Sequence, residues 1–207
     1  YRHGLDGLGV DGHDLPQLLE VLENTKSIPK PVLLHVITSK GKGYPFAERH
    51  PGTFHGVSGF DIETGQAPPS GKSFSDVFGE TLCKLARSDP RICAITAAMQ
   101  HGTGLTGFRQ EFSNRFYDVG IAEEHAVTFA GGLSSQGMIP VFAVYSTFLQ
   151  RAFDQVIHDA ALQRLKVVLA VDRAGIVGED GETHQGIFDV PFLNSVPGTV
   201  VYAPSFY

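Results

Sequence analysis

The 207 residues are 42% apolar and carry 16 basic against 22 acidic side chains, a formal charge of −6. Such a chain can bury an ordinary core, and with no basic block to track a phosphate backbone a nucleic-acid partner is not expected. No apolar run approaches the roughly 20 residues of a membrane helix, no secretory leader pattern appears, and Cys83 and Cys93 show neither zinc nor disulfide spacing, so a reducing cytoplasm is expected.

Asp11-Gly12-His13-Asp14 supplies a turn and a helix cap before Leu15 to Leu22, where apolar residues recur at helical spacing. Pro29-Lys30-Pro31 ends that helix, and Val32 to Ile37 reads as a short, fully buried strand of a parallel sheet. From Lys40 to Lys72, glycine, proline, histidine and serine interrupt every few residues and no period survives, as in an extended connector between domains or over a site. Helices are then expected at Ser73 to Ala86, Ala122 to Ser134 and Thr147 to Leu162. Strands are expected at Ile92 to Ala97, Phe116 to Val119, Val141 to Val144, Val167 to Val171 and Val200 to Tyr202. This alternation defines an α/β fold with a parallel, doubly wound sheet covered on both faces, in which ligands sit at the carboxyl ends of strands. Three segments follow: 1–39, a connector 40–72, and a domain 73–207. Both ends, Tyr1 and the run 203–207, read as cut from something longer.

Three loops leave consecutive strand ends on one rim: Gly120 to His125, Tyr145 to Phe148, and Asp172 to Gly186. They gather Glu123, Tyr145, Arg173, Asp180 and His184, with Arg151 just beyond. Taken alone, Glu123 and Glu124 are ordinary acids of a helix's first turn, where the backbone dipole is positive. The glycine-rich run 175–186 does not follow calcium-loop spacing and reads as a mobile lid or binding loop.

The motifs carry a resemblance as well. Tyr117-Asp118-Val119-Gly120-Ile121-Ala122-Glu123-Glu124-His125-Ala126 is similar to the pyrimidine-domain motif of transketolase-like thiamine-diphosphate enzymes. Tyr145 to Gln155, Asp172 to Gly178, Asp180-Gly181 and Thr183 to Gly186 resemble the 1-deoxy-D-xylulose-5-phosphate synthases in particular. Asp11 to Asp14 and Lys40 to Pro45 look like the close of that family's first domain, and Phe54-His55-Gly56 falls where its linker carries a histidine.

The resemblance implies an incomplete thiamine-diphosphate-binding fold made of the tail of a first domain, a connector and most of a pyrimidine-binding domain. It implies decarboxylative condensation of pyruvate with glyceraldehyde 3-phosphate by a homodimeric parent that uses thiamine diphosphate and Mg2+. Glu123 matches the catalytic glutamate that meets the cofactor's pyrimidine, Phe148 the ring that stacks on it, and Ile121 an apolar contact. Arg173 and Tyr145 match substrate-phosphate positions, Arg151 a further substrate position, and Asp180, His184 and His55 polar catalytic positions. Complete synthases also carry an earlier Gly-Asp-Gly motif that holds the metal. Here Val10 precedes Asp11-Gly12, with Asn24 too close behind, and Glu179 precedes Asp180-Gly181, so no metal ligand is assigned and weak cofactor binding by this chain alone is expected. The alternatives weighed are another transketolase-like enzyme, the small subunit of a two-component one, and a non-catalytic module of the same fold.

Overall fold

The computed structural model describes residues 9–57, 59–68, 71–177 and 181–206. The chain divides into two compact units, residues 1–69 and 70–207.

In the first unit β1 (Val10–Asp11) precedes α1 (Leu15–Thr25) and pairs in parallel with β2 (Val36–Ile37). Asp14 caps α1, its carboxylate accepting from the Gln17 N–H at 3.1 Å, as the turn motif predicts. The strand expected at 32–37 is reduced to two residues, and it is exposed rather than buried, with Leu33 at 75%. The reason is local. Among the described residues its one partner strand is two residues long and α1 buries no side chain, too little to cover both faces of a parallel pair.

The connector is more ordered than its composition implies. It forms the short helix α2 (Pro45–Arg49) beside an aromatic cluster, with Tyr44 5.5 Å from both the Phe46 and Phe54 rings and 5.8 Å from Phe60. Aromatic pairs at such distances favour offset or edge-on geometry, and they order a segment that has no apolar period.

The second unit begins with α3 (Phe74–Ser88), entered through a capping box: the Ser73 hydroxyl accepts from the Asp76 N–H while the Asp76 carboxylate accepts from the Ser73 N–H. There follow β3 (Ile92–Thr96), α4 (Thr106–Glu111), β4 (Phe116–Asp118), α5 (Glu123–Ser135) and β5 (Ile139–Tyr145). Next come α6 (Ser146–Leu149), α7 (Phe153–Gln155), β6 (Val168–Asp172) and α8 (Asp189–Asn194). The four strands pair in parallel in the order β4-β3-β5-β6.

Alternate residues of the central strands point to opposite faces. Ile95, Phe142 and Val144 join Ala126, Val127 and Ala130 of α5 in one cluster, whereas Ala94, Val141 and Ala143 join Leu82, Ala86 and Phe108 of α3 and α4 in the other. The sheet is thus covered on both sides, the α/β arrangement expected.

Two expected elements differ. The single helix at 147–162 is helical throughout its core but unevenly wound: α6, a 3-10 turn at Gln150–Ala152, α7, then a π-helix at Val156–Ala161. Apolar spacing reports the buried face and is insensitive to these local changes of pitch. Residues Val200 to Tyr202 form no strand and are exposed: strand-forming side chains need a paired neighbour, and this run pairs with none among the described residues.

Candidate active site

The carboxyl ends of β4, β5 and β6 share a rim because all four strands run parallel. At the first of these ends Gly120 adopts a left-handed backbone (φ 72°), which lets the chain turn sharply into α5. Glu123 is the first residue of that helix. It is no solvated first-turn acid: it is 1% exposed. Arg151 Nη1 donates to Glu123 Oε1 at 2.9 Å, while Glu123 Oε2 is buried without a hydrogen-bond partner among the described residues. Glu124, its neighbour, is exposed.

Arg151 connects the carboxylate to an aromatic group. Its guanidinium lies 5.1 Å over the Phe148 ring, and Phe148 stacks at 5.9 Å on Tyr145, from the end of β5. His184 meets Phe148 edge-on at 5.2 Å and Tyr145 at 6.5 Å, its Nδ1 2.9 Å from the Thr183 hydroxyl. The loop bearing His184 is closed at its neck by reciprocal Gly175 and Gly186 hydrogen bonds of 2.7 and 2.8 Å. Thr147 Oγ1 donates to the Thr183 carbonyl at 3.2 Å, which ties this loop to α6. Gly186 is required at the neck, since a Cβ there would lie 2.4 Å from the Arg173 carbonyl oxygen and 2.5 Å from Ser146.

Arg173 completes the far side, with its guanidinium 4.3 Å over the Tyr145 ring. Its Nη1 donates to the Gly102 carbonyl at 2.7 Å and to Asp172 Oδ1 at 3.1 Å. Its backbone is left-handed (φ 51°), uncommon for a side-chain-bearing residue. Ser75 and Gly102 were not singled out by the sequence. Ser75 Oγ donates to Asp172 Oδ2 at 2.6 Å, and Gly102 packs so closely that a Cβ would lie 1.7 Å from the Tyr145 hydroxyl. Only the tertiary approach of α3 and of the loop after β3 to the ends of β5 and β6 reveals them.

Of the residues expected at the site, Glu123, Tyr145, Phe148, Arg151, Arg173 and His184 form one continuous set of contacts. Ile121 stands beside Glu123 in sequence with its side chain 78% exposed. Asp180 lies outside the described residues. His55 belongs to the first unit, where its ring is hydrogen-bonded to Lys40 Nζ. Among the described residues no group of three or more His, Cys, Asp or Glu side chains is gathered to hold a metal ion.

Residues 70–206 match the transketolase pyrimidine-binding domain, and residues 3–38 match the 1-deoxy-D-xylulose-5-phosphate synthase family. The chain therefore belongs to the transketolase-type pyrimidine-binding family. It is 59% identical to a 1-deoxy-D-xylulose-5-phosphate synthase of Symbiobacterium thermophilum over 94% of this chain and 30% of that protein. It is equally 59% identical to the synthase of Caldanaerobacter subterraneus over 94% of this chain and 32% of that protein. The chain thus spans about a third of the length of these relatives. A transketolase from Leishmania mexicana superposes with a TM-score of 0.54 at 25% identity, covering 62% of this chain and 21% of that one.

Proposed function

We propose that the chain is a segment of a cytoplasmic 1-deoxy-D-xylulose-5-phosphate synthase. The whole enzyme would take two carbons from pyruvate, with loss of carbon dioxide, and join them to the aldehyde of glyceraldehyde 3-phosphate, the first step of non-mevalonate isoprenoid synthesis. The observation that carries the reading is the state of Glu123: buried, one oxygen held by Arg151, the other without a partner among the described residues.

A buried carboxylate oxygen without a donor is costly and favours a ligand that brings one. A protonated ring nitrogen of an aminopyrimidine supplies that donor, so these residues fit the pyrimidine half of thiamine diphosphate. Glu123 would accept or share the ring-nitrogen proton, and Phe148 offers an aromatic face beside it. When bound, thiamine diphosphate supplies the nucleophilic carbon and the electron sink for decarboxylation. Arg151 holds Glu123 Oε1 and so fixes which carboxylate oxygen remains for the ring.

Arg173, with a planar fork of donors, suits the acceptor's phosphate, and the Tyr145 ring beneath it offers the guanidinium an aromatic face. His184, positioned by Thr183 and Phe148, holds or moves a proton on the reacting oxygen. Asp180 and His55 are assigned catalytic roles, and Ile121 an apolar contact, on the resemblance alone. No residue of this chain is assigned to Mg2+, and the homodimer is likewise part of the proposal.

The test is turnover of pyruvate with glyceraldehyde 3-phosphate by the whole enzyme, with product analysis. Glu123→Ala is expected to abolish nearly all product while the fold, followed by circular dichroism, stays intact. Unaltered turnover, or a product other than the five-carbon sugar phosphate, would refute the assignment.

A further inference from the structure

We infer that Asp172 and Ser75 are positioning residues for Arg173, forming a brace that sets where the guanidinium meets the acceptor's phosphate. The inference rests on the proposed role of Arg173.

Arg173 has a left-handed backbone (φ 51°), a conformation that side-chain-bearing residues adopt at a cost and that persists only where surrounding contacts impose it. Asp172 imposes it. Its Oδ1 accepts from the Arg173 backbone N–H at 2.7 Å and from Arg173 Nη1 at 3.1 Å, so one carboxylate oxygen fixes both ends of the same residue. Its other oxygen is occupied by Ser75 Oγ at 2.6 Å, reaching across from α3, which is 97 residues away in sequence. The carboxylate is thus clamped between a helix and the end of β6, and it cannot swing without losing charge-assisted hydrogen bonds.

The remaining support comes from Gly102. Its carbonyl takes Nη1 at 2.7 Å, and its missing side chain admits the Tyr145 hydroxyl under the guanidinium. Arg173 is therefore held by a carboxylate, a carbonyl and a ring face from three separate loops, before any substrate arrives. A guanidinium so preorganised loses little freedom on meeting a phosphate. Asp172 does not touch that phosphate in this reading; it acts through Arg173, and Ser75 acts through Asp172.

The discriminating measurement is kcat/KM in the whole enzyme for glyceraldehyde 3-phosphate relative to D-glyceraldehyde, which lacks the phosphate. In Asp172→Ala that ratio is expected to fall about tenfold, the loss of one to two charge-assisted hydrogen bonds in positioning. Asp172→Asn keeps an acceptor for the Arg173 N–H and should recover part of the ratio. Ser75→Ala, which removes a single partly buried hydroxyl and is safe for folding, should lower it about threefold. A merely structural role lowers kcat/KM for both aldehydes together and leaves the ratio unchanged, and that result overturns the inference while the functional reading stands. A wild-type enzyme that shows no preference for the phosphorylated aldehyde overturns both.

Discussion

Removing Arg151 strips a buried carboxylate of its cation. Glu123 is 1% exposed and has one hydrogen-bond partner among the described residues; Arg151 is half exposed. Deleting one member of a fully buried ion pair costs about 3–5 kcal/mol, whereas an exposed pair contributes about 1 kcal/mol at most. With one member buried and the other half in water, Arg151→Ala should destabilise the unit by about 2 kcal/mol. In a unit of this size that lowers Tm by roughly 6 °C. Urea unfolding followed by circular dichroism measures the loss. The decisive comparison is a double-mutant cycle with Glu123→Gln, which is nearly isosteric and carries no charge. If the penalty of Arg151→Ala is the uncompensated carboxylate, it should shrink by at least about 1 kcal/mol in the Glu123→Gln background. Additive effects, or a loss below about 0.5 kcal/mol, would show that the pair does not secure the buried glutamate.

Three further outcomes follow from the packing and charge of the second unit. Gly79 lies inside α3, where alanine is ordinarily favoured by about 1 kcal/mol; yet its Cβ would sit 2.0 Å from the Gly104 carbonyl oxygen, so Gly79→Ala should lower the urea midpoint, and a raised midpoint would contradict the packing. Burial pushes the Cys93 thiol up to about 11 and raises that of Cys83 as well, so at pH 8 neither should react with Ellman's reagent until urea unfolds the chain. The Arg91 side chain, with the Arg91 backbone N–H, lowers the Asp89 carboxyl to about 2. A depressed folded-state value means that its stabilisation is present above the unfolded-state value near 3.8 and is lost as pH falls through about 2. Carboxyl NMR titration should find that low midpoint, and Arg91→Ala should move it up toward the ordinary range.

Much of the fold could be read from local signals. The Asp14 cap, the helix that begins at Ser73 and the continuous apolar runs of β3 and β5 each depend on residues within a few positions, so composition and period exposed them. The same locality explains the failures. Val32 to Ile37 and Val200 to Tyr202 have strand-forming side chains, but burial and pairing depend on what the rest of the chain places beside them.

The rim residues Glu123, Tyr145, Phe148, Arg173 and His184 were legible because they lie in distinctive loops at strand ends. Their partnerships were not. Glu123 meets Arg151 across 28 residues, Gly102 meets Arg173 across 71, and Ser75 meets Asp172 across 97. The amino-acid sequence by itself determined the main helices and the four parallel strands of the second unit and which loops carry polar chemistry. Tertiary structure alone decided that one glutamate oxygen is held while the other has no partner among the described residues, and that an arginine is braced from three loops. Those pairings follow from the strand order β4-β3-β5-β6, a property of how distant segments share a core, to which the period of any one segment is blind.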